Sequence, residues 1–212
     1  MTPESLERAL ERFAALYAGV DGYRLSHGER KRLQDEDRAL VYGEIDPRAF
    51  FELLGRVGVA PGETFWDAGS GTGKPVLLSA MLFPFAGCHG VELLEPLHAQ
   101  SEVMLRRYRA EVLPQLPEEK RRQEIRFVLG RLEETDFSAA DVLFSHCTTF
   151  DAAGLDQVAA KAAGMKPGSR AITVGQPLSH PALEPAFSAA VPMEWGESTC
   201  FVYRVRGALS GE

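Results

Sequence analysis

The chain has 212 residues, a formal net charge of −7, 45% hydrophobic and 25% charged residues, the balance of a soluble globular protein that buries its own core without disulfide or metal. Its three cysteines, Cys88, Cys147 and Cys200, are odd in number and far apart, which argues against a disulfide framework or a cysteine zinc site and favours a reducing, cytoplasmic setting. The acidic balance disfavours nucleic acid as a partner, no window approaches a membrane span, and the opening MTPESLERALERF lacks the apolar core of a signal peptide.

Leu6, Leu10, Phe13 and Tyr17 recur at helical spacing and predict an amphipathic helix over residues 3–18, stopped by Gly19 and Gly22. The polar stretch HGERKRLQDEDRAL is expected to form a second, more exposed helix, so that residues 1–40 make a helical lid ahead of a domain at 41–212. Pro47 opens a third helix whose buried stripe is Phe50, Leu53, Leu54 and Val57. From Glu63 the pattern alternates. TFWDA, AGCHGVE, EIRFVLG, DVLFS and SRAITVG read as strands; PVLLSAML, EPLHAQSEVMLRRYRAEVL and LDQVAAKAAG read as helices. VPMEWGESTCFVYRV predicts two strands joined tightly at Gly196-Glu197. Alternation of this kind specifies an α/β fold with a parallel sheet between helix layers. A closing antiparallel pair marks the Rossmann-like class I methyltransferase variant, a seven-stranded mixed sheet flanked by helices.

The chemistry concentrates in FWDAGSGTGKP (65–75). A phosphate loop of the form G-x-x-x-x-G-K-[ST] fails twice, because Ala68 replaces its first glycine and Pro75 its hydroxyl. The dinucleotide pattern G-x-G-x-x-G fits Gly69 and Gly71 but meets Lys74 at its third position. The third glycine comes one residue early, at Gly73, and G-x-G-x-G suits a ligand without pyrophosphate. S-adenosylmethionine is such a ligand, and its sugar and tail require close backbone approach. Asp67, at a strand tip, is placed to meet the tail ammonium. Glu92, nineteen residues after Gly73, is placed to accept hydrogen bonds from the ribose hydroxyls.

VYGE (41–44), DAGSGTGK (67–74) and GVE (90–92) together resemble the catalytic core of the Dot1-type lysine methyltransferases, over roughly residues 40–205. The resemblance implies that Tyr42, Gly43 and Glu44 form a loop folding over the cofactor, that Glu92 binds ribose, and that Gly69, Gly71, Gly73, Lys74, Arg131 and Leu132 complete the cofactor site. It implies a bacterial-type member whose target need not be a histone. The chain departs from the family at three places. Ile45 replaces a threonine, and Arg131 stands where an acid would hold the adenine amino group, with Glu133 or Glu134 as substitutes. His146-Cys147-Thr148 replaces an Asn-Asn-Phe stretch.

Methyl transfer from a sulfonium needs proximity and alignment more than acid–base machinery, and a lysine acceptor loses its proton through desolvation. His146, at the tip of the fourth strand, is the candidate to orient or deprotonate the acceptor. Phe201 is the second candidate at the transfer centre, with Tyr203, Trp195 and Phe150 as further walls of an apolar channel. The reading is an S-adenosylmethionine-dependent methyltransferase acting on a protein lysine. A small-molecule or other side-chain acceptor, or a non-catalytic cofactor-binding module, are the alternatives.

Overall fold

The computed structural model describes residues 2–33 and 42–207. Its elements in chain order are α1 (Pro3–Leu16), α2 (Gly22–Leu33), α3 (Pro47–Val57), β1 (Thr64–Ala68), α4 (Lys74–Leu82), β2 (Gly87–Glu92), α5 (Glu95–Arg107), β3 (Glu124–Leu129), β4 (Val142–His146), α6 (Ala152–Ala163), β5 (Arg170–Val174), β6 (Leu183–Met193) and β7 (Gly196–Val205). The seven strands form one sheet in the order β3-β2-β1-β4-β5-β7-β6. The first five strands are parallel, and β7 runs antiparallel to both β5 and β6. Chain order therefore reverses between β1 and β4, and the crevice at the carboxyl ends of those two strands is where open α/β sheets bind ligands.

Local chemistry explains the helix starts. The Asp46 side chain accepts the Ala49 N–H at 2.9 Å with Pro47 in the first turn, and Asp151 accepts the Gly154 N–H at 2.8 Å. Asp21 accepts the Arg24 N–H at 2.9 Å, which starts α2 at Gly22, where a helix stop was expected. The predicted 27–40 helix is thus displaced toward the N-terminus, and its second half lies outside the described residues. α4 is apolar on all sides and buried throughout from Val76 to Leu82. It sits between the sheet and α1, whose Leu6, Ala9, Phe13 and Leu16 join the same core as Phe50, Phe65 and Phe144. The N-terminal helix is therefore packed into the main core, and the boundary expected at residue 40 falls outside the described residues. A second core, on the α6 face, gathers Trp66, Phe137, Leu143, Val158 and Tyr203.

The closing hairpin is longer than its sequence predicts. β6 begins at Leu183, eight residues before the expected start, and the turn is Glu194-Trp195, with Met193 paired to Gly196. Pro185 and Pro192 disguised it. Both are tolerated because β6 is an edge strand, and a bulge between Pro185 and Phe187 absorbs an extra residue.

Away from the site, Arg170 at the start of β5 donates to both carboxylate oxygens of Glu63, at 2.8 and 2.6 Å, and to the Gly58 carbonyl at 2.7 Å. The Arg170 side chain is 9% exposed and the Glu63 side chain 18%. Arg170→Met is expected to cost about 2–3 kcal/mol, because it leaves a half-buried carboxylate unpaired. That corresponds to a fall of roughly 5–10 °C in Tm with cofactor affinity unchanged, as read by thermal denaturation beside calorimetry.

Candidate cofactor and methyl-transfer site

β1 delivers Asp67 to the carboxyl edge of the sheet, and the chain then turns through Gly69, Gly71 and Gly73 at φ of 89°, 53° and 84°. Backbone N–H groups of Gly69 and Ser70 both donate to the Val91 carbonyl at 2.9 Å, which ties the bend to β2. Glu92 completes the tie. Its two carboxylate oxygens accept the N–H groups of Gly71 and Leu94, each at 2.8 Å. Burial raises the Glu92 pKa, opposed by the backbone donors of Leu94, Gly71 and Leu93. Each oxygen keeps a further acceptor direction. A side chain at Gly71 would be strained by the positive φ and would come within 2.3 Å of the Tyr42 ring.

Two openings meet at this bend. A cleft of about 310 Å³ is bordered by Gly69, Glu92, Leu93, Arg131, Leu132, Glu133 and Phe150, a volume at the lower end for small-molecule sites. A smaller cavity of about 30 Å³ lies on the other side, walled by Phe13, Ile45, Pro47, Phe50, Leu78 and Phe144, with Asp67, Glu44 and Lys74 as its charged members. Tyr42, Gly43, Gly69 and His146 border both.

Asp67 is 1% exposed and both of its oxygens lack a hydrogen-bond partner. Burial, reinforced by the nearby charge of Glu92, holds its pKa well above the usual carboxylate range. A buried, orphaned carboxylate calls for a cationic partner. At Gly69 a Cβ would meet no protein atom within 4 Å, so the bend leaves room for a ligand against the backbone. These features fit the ammonium, sugar and tail of S-adenosylmethionine, with Asp67, Gly69 and Glu92 as the residues that would hold it.

The 42–46 segment closes over the bend. The Tyr42 hydroxyl donates to Glu44 at 2.5 Å and lies 2.9 Å from the Thr72 hydroxyl, while the Tyr17 hydroxyl donates to the Thr72 carbonyl at 3.1 Å. Lys74 pairs with Glu44 and, at 3.3 Å, with Glu194. The Glu44 pKa is raised to about 6, first by burial and then by a hydrogen bond with Glu194, against the pull of Lys74 and Tyr42.

His146 ends β4 between the two openings. Its Nδ1 lies 3.3 Å from the Thr148 hydroxyl, and its Nε2 is buried without a partner. Burial pulls its pKa down to about 4, so the ring is neutral at physiological pH. The ring packs against the Gly43 backbone so closely that a Cβ there would sit 2.5 Å from Cε1. Neighbouring Cys147 is buried, and burial pushes its thiol up to about 12, which disfavours the nucleophilic thiolate.

Of the expected channel aromatics, only Phe150 borders the cleft. Phe201 does not: it pairs with Thr173 across β5–β7 and packs on the α6-side core. The same alternation buries Tyr203, whose hydroxyl accepts the Leu178 N–H at 2.8 Å, and Trp195 stands 51% exposed in the hairpin turn. Phe201, expected at the transfer centre, thus stands outside the residues that border the two openings and packs with the α6-side core. Arg131 and Glu133 form a 3.6 Å ion pair at the cleft rim; Glu134 does not border the cleft. Sequence reasoning missed Phe13, Tyr17, Thr72 and Glu194. The first two read as a core stripe, and nothing local announces that Glu194 meets residues 120 and 150 positions earlier.

The family described as histone methylation protein DOT1 matches residues 32–184 of this chain. A sequence comparison with curated proteins returns no match. Among solved structures, an RNA methyltransferase from Salinibacter ruber bound to S-adenosyl-L-homocysteine superposes with a TM-score of 0.56 at 17% identity, covering 78% of this chain and 95% of that one. Magnesium protoporphyrin IX methyltransferase from Synechocystis with bound cofactor gives 0.57 at 13% identity, covering 93% and 91%. Geranyl diphosphate C-methyltransferase from Streptomyces coelicolor gives 0.54 at 14% identity, covering 85% and 98%. At such identities these structures establish the shared fold and leave the acceptor open. The family match is of another kind: it runs over well more than half of the chain and takes in the glycine bend, Glu92 and His146, so this chain belongs to the DOT1 family and is an S-adenosylmethionine-dependent methyltransferase.

Proposed function

We propose that the acceptor is the side-chain amine of a protein lysine. The observation that carries this reading is the desolvation at His146. The burial that pulls the His146 pKa down to about 4 would act in the same direction on an incoming ammonium, lowering its pKa toward the free lone pair. The description of the matched family, histone methylation, supports a protein acceptor. Nucleic acid is disfavoured because the basic clusters are engaged locally: Arg32 with Glu29, Arg107 with Glu111, Arg122 with Glu118, and Lys120 with the last carbonyls of α4. Among the described residues no helix is long and apolar enough to cross a membrane.

Bound in the cleft, S-adenosylmethionine supplies a methyl group on a sulfonium, activated toward in-line displacement. The chain's part is to hold and exclude. Asp67 answers the ammonium, Glu92 accepts from the sugar hydroxyls, and the Tyr42–Glu44 segment shields the bend from water. His146, neutral and with a free Nε2, orients the acceptor nitrogen at the junction of the two openings.

Incubating the purified full-length protein with methyl-labelled cofactor and a cell lysate is expected to label protein bands, with methyl-lysine recovered on hydrolysis. Label confined to small solutes would replace the lysine reading with a small-molecule acceptor. Glu92→Gln is expected to weaken cofactor binding about 10–100-fold by calorimetry, with the fold retained by circular dichroism. Because the Asp67 pKa is raised in the free protein, cation binding draws off its proton. Cofactor affinity is therefore expected to strengthen as pH rises, with proton release visible as a buffer-dependent binding enthalpy that Asp67→Asn abolishes.

A further inference from the structure

Three segments distant in sequence converge on the ammonium of Lys74, at the first position of α4. Glu44 comes from the segment after α2, Glu194 from the β6–β7 turn, and Tyr17 from the end of α1, with its ring centroid 5.5 Å from Nζ. The Lys74 side chain is 19% exposed and the Glu44 carboxylate 5%, so this contact is shielded far more than a surface ion pair. Two backbone bonds run beside it: Glu194 N–H to the Glu44 carbonyl and Asp46 N–H to the Pro192 carbonyl, both 3.2 Å, with Ile45 bridged to Met193. Two carboxylates thus face each other across a pair of short backbone contacts, with one cation between them. Lys74 directs its donors at these carboxylates and its remaining side at the Tyr17 ring, which leaves little of it for a ligand.

We propose that Lys74 is a positioning residue: it latches the 42–46 segment to the β6–β7 hairpin tip over the smaller cavity beside the cofactor cleft, instead of binding the cofactor itself. The latch is a property of the protein without ligand. Its consequence for affinity rests on the reading of the cleft as the cofactor site.

Removing the cation withdraws the positive charge that joins the two carboxyl groups, and both backbone bonds lie in the segments it holds together. The groups facing Glu44 are Tyr42 from its own segment, Lys74 from α4, Glu194 from the hairpin, Tyr17 from α1 and Tyr23 from α2. Lys74 lowers the Glu44 pKa from among these, so its loss raises that pKa above about 6.

Amide hydrogen exchange on the ligand-free, full-length protein tests the latch directly. In Lys74→Met, residues 42–46 and 193–196 are expected to exchange on the order of tenfold faster while β1 and β4 keep their protection; Lys74→Arg is expected to preserve it. The Glu44 carboxyl titration, followed by NMR, is expected to move upward in Lys74→Met. Unchanged exchange in both segments, acceleration that spreads to β1 and β4, or equal opening in Lys74→Arg would overturn the proposal. Calorimetry with S-adenosylmethionine separates the two readings. If the natural chain binds and the exchange does not respond, the latch fails; if the exchange responds and the natural chain does not bind, the latch stands and the cofactor assignment fails.

Discussion

One buried carboxylate fixes the geometry on which the site depends. Glu92, at the last position of β2, takes the N–H groups of Gly71 and Leu94 on its two oxygens. A charge buried this deeply is tolerable only when such donors meet it. The bond to Gly71 reaches across from β2 to the bend that follows β1. That bend then sets Thr72, which holds the hydroxyls of Tyr17 and Tyr42, and Lys74, which begins α4 and receives Glu44. Together with the Gly69 and Ser70 bonds to the Val91 carbonyl, this side chain registers cofactor cleft, covering segment and N-terminal helix to one another.

The backbone around the bend is chosen for what it omits. Gly71 leaves room for the Tyr42 ring and Gly43 for the His146 ring; in both cases a methyl group would overlap the neighbour. The two aromatic rings approach from the segment before α3 and from the tip of β4, and they border both openings. Small residues here serve protein–protein packing within the site as much as ligand approach, which explains why a glycine pattern alone is an ambiguous sign of what is bound.

How far the sequence speaks follows from the range of each interaction. The βα alternation, the apolar stripe of α3, the all-apolar α4 and the acids at the tips of β1 and β2 are local patterns, and the structure places them as read. β6 escaped because its prolines and small residues argue against a strand unless it is known to lie at an edge, which is a property of the whole sheet. The start of α2 escaped because Asp21, which caps it, sits between two glycines that read as a stop. Phe201 was read as a channel wall because alternation along β7 gives two faces without saying which one meets α6. Glu194, Thr72 and Tyr17 belong to contacts that exist only after the sheet has closed.

The charge at the site is unbalanced, and the imbalance favours one kind of ligand. Asp67 and Glu44 border the smaller cavity with Lys74, Glu92 borders the cleft, and Glu194 reaches Lys74 from the hairpin turn. Burial meets the excess by raising the pKa of Asp67, Glu92 and Glu44, a cost stored in the empty protein. A pyrophosphate would add to that negative potential, and among the described residues the cations bordering the two openings are Lys74, paired with Glu44 and Glu194, and Arg131, paired with Glu133. A zwitterionic tail bearing an ammonium and a neighbouring sulfonium relieves the potential, and it does so most where Asp67 has no partner of its own. The same arithmetic separates the two charged roles at the bend. Lys74 is already engaged by Glu44 and Glu194, whereas Asp67 has no partner, and that is where the proposed contact with the cofactor's ammonium falls.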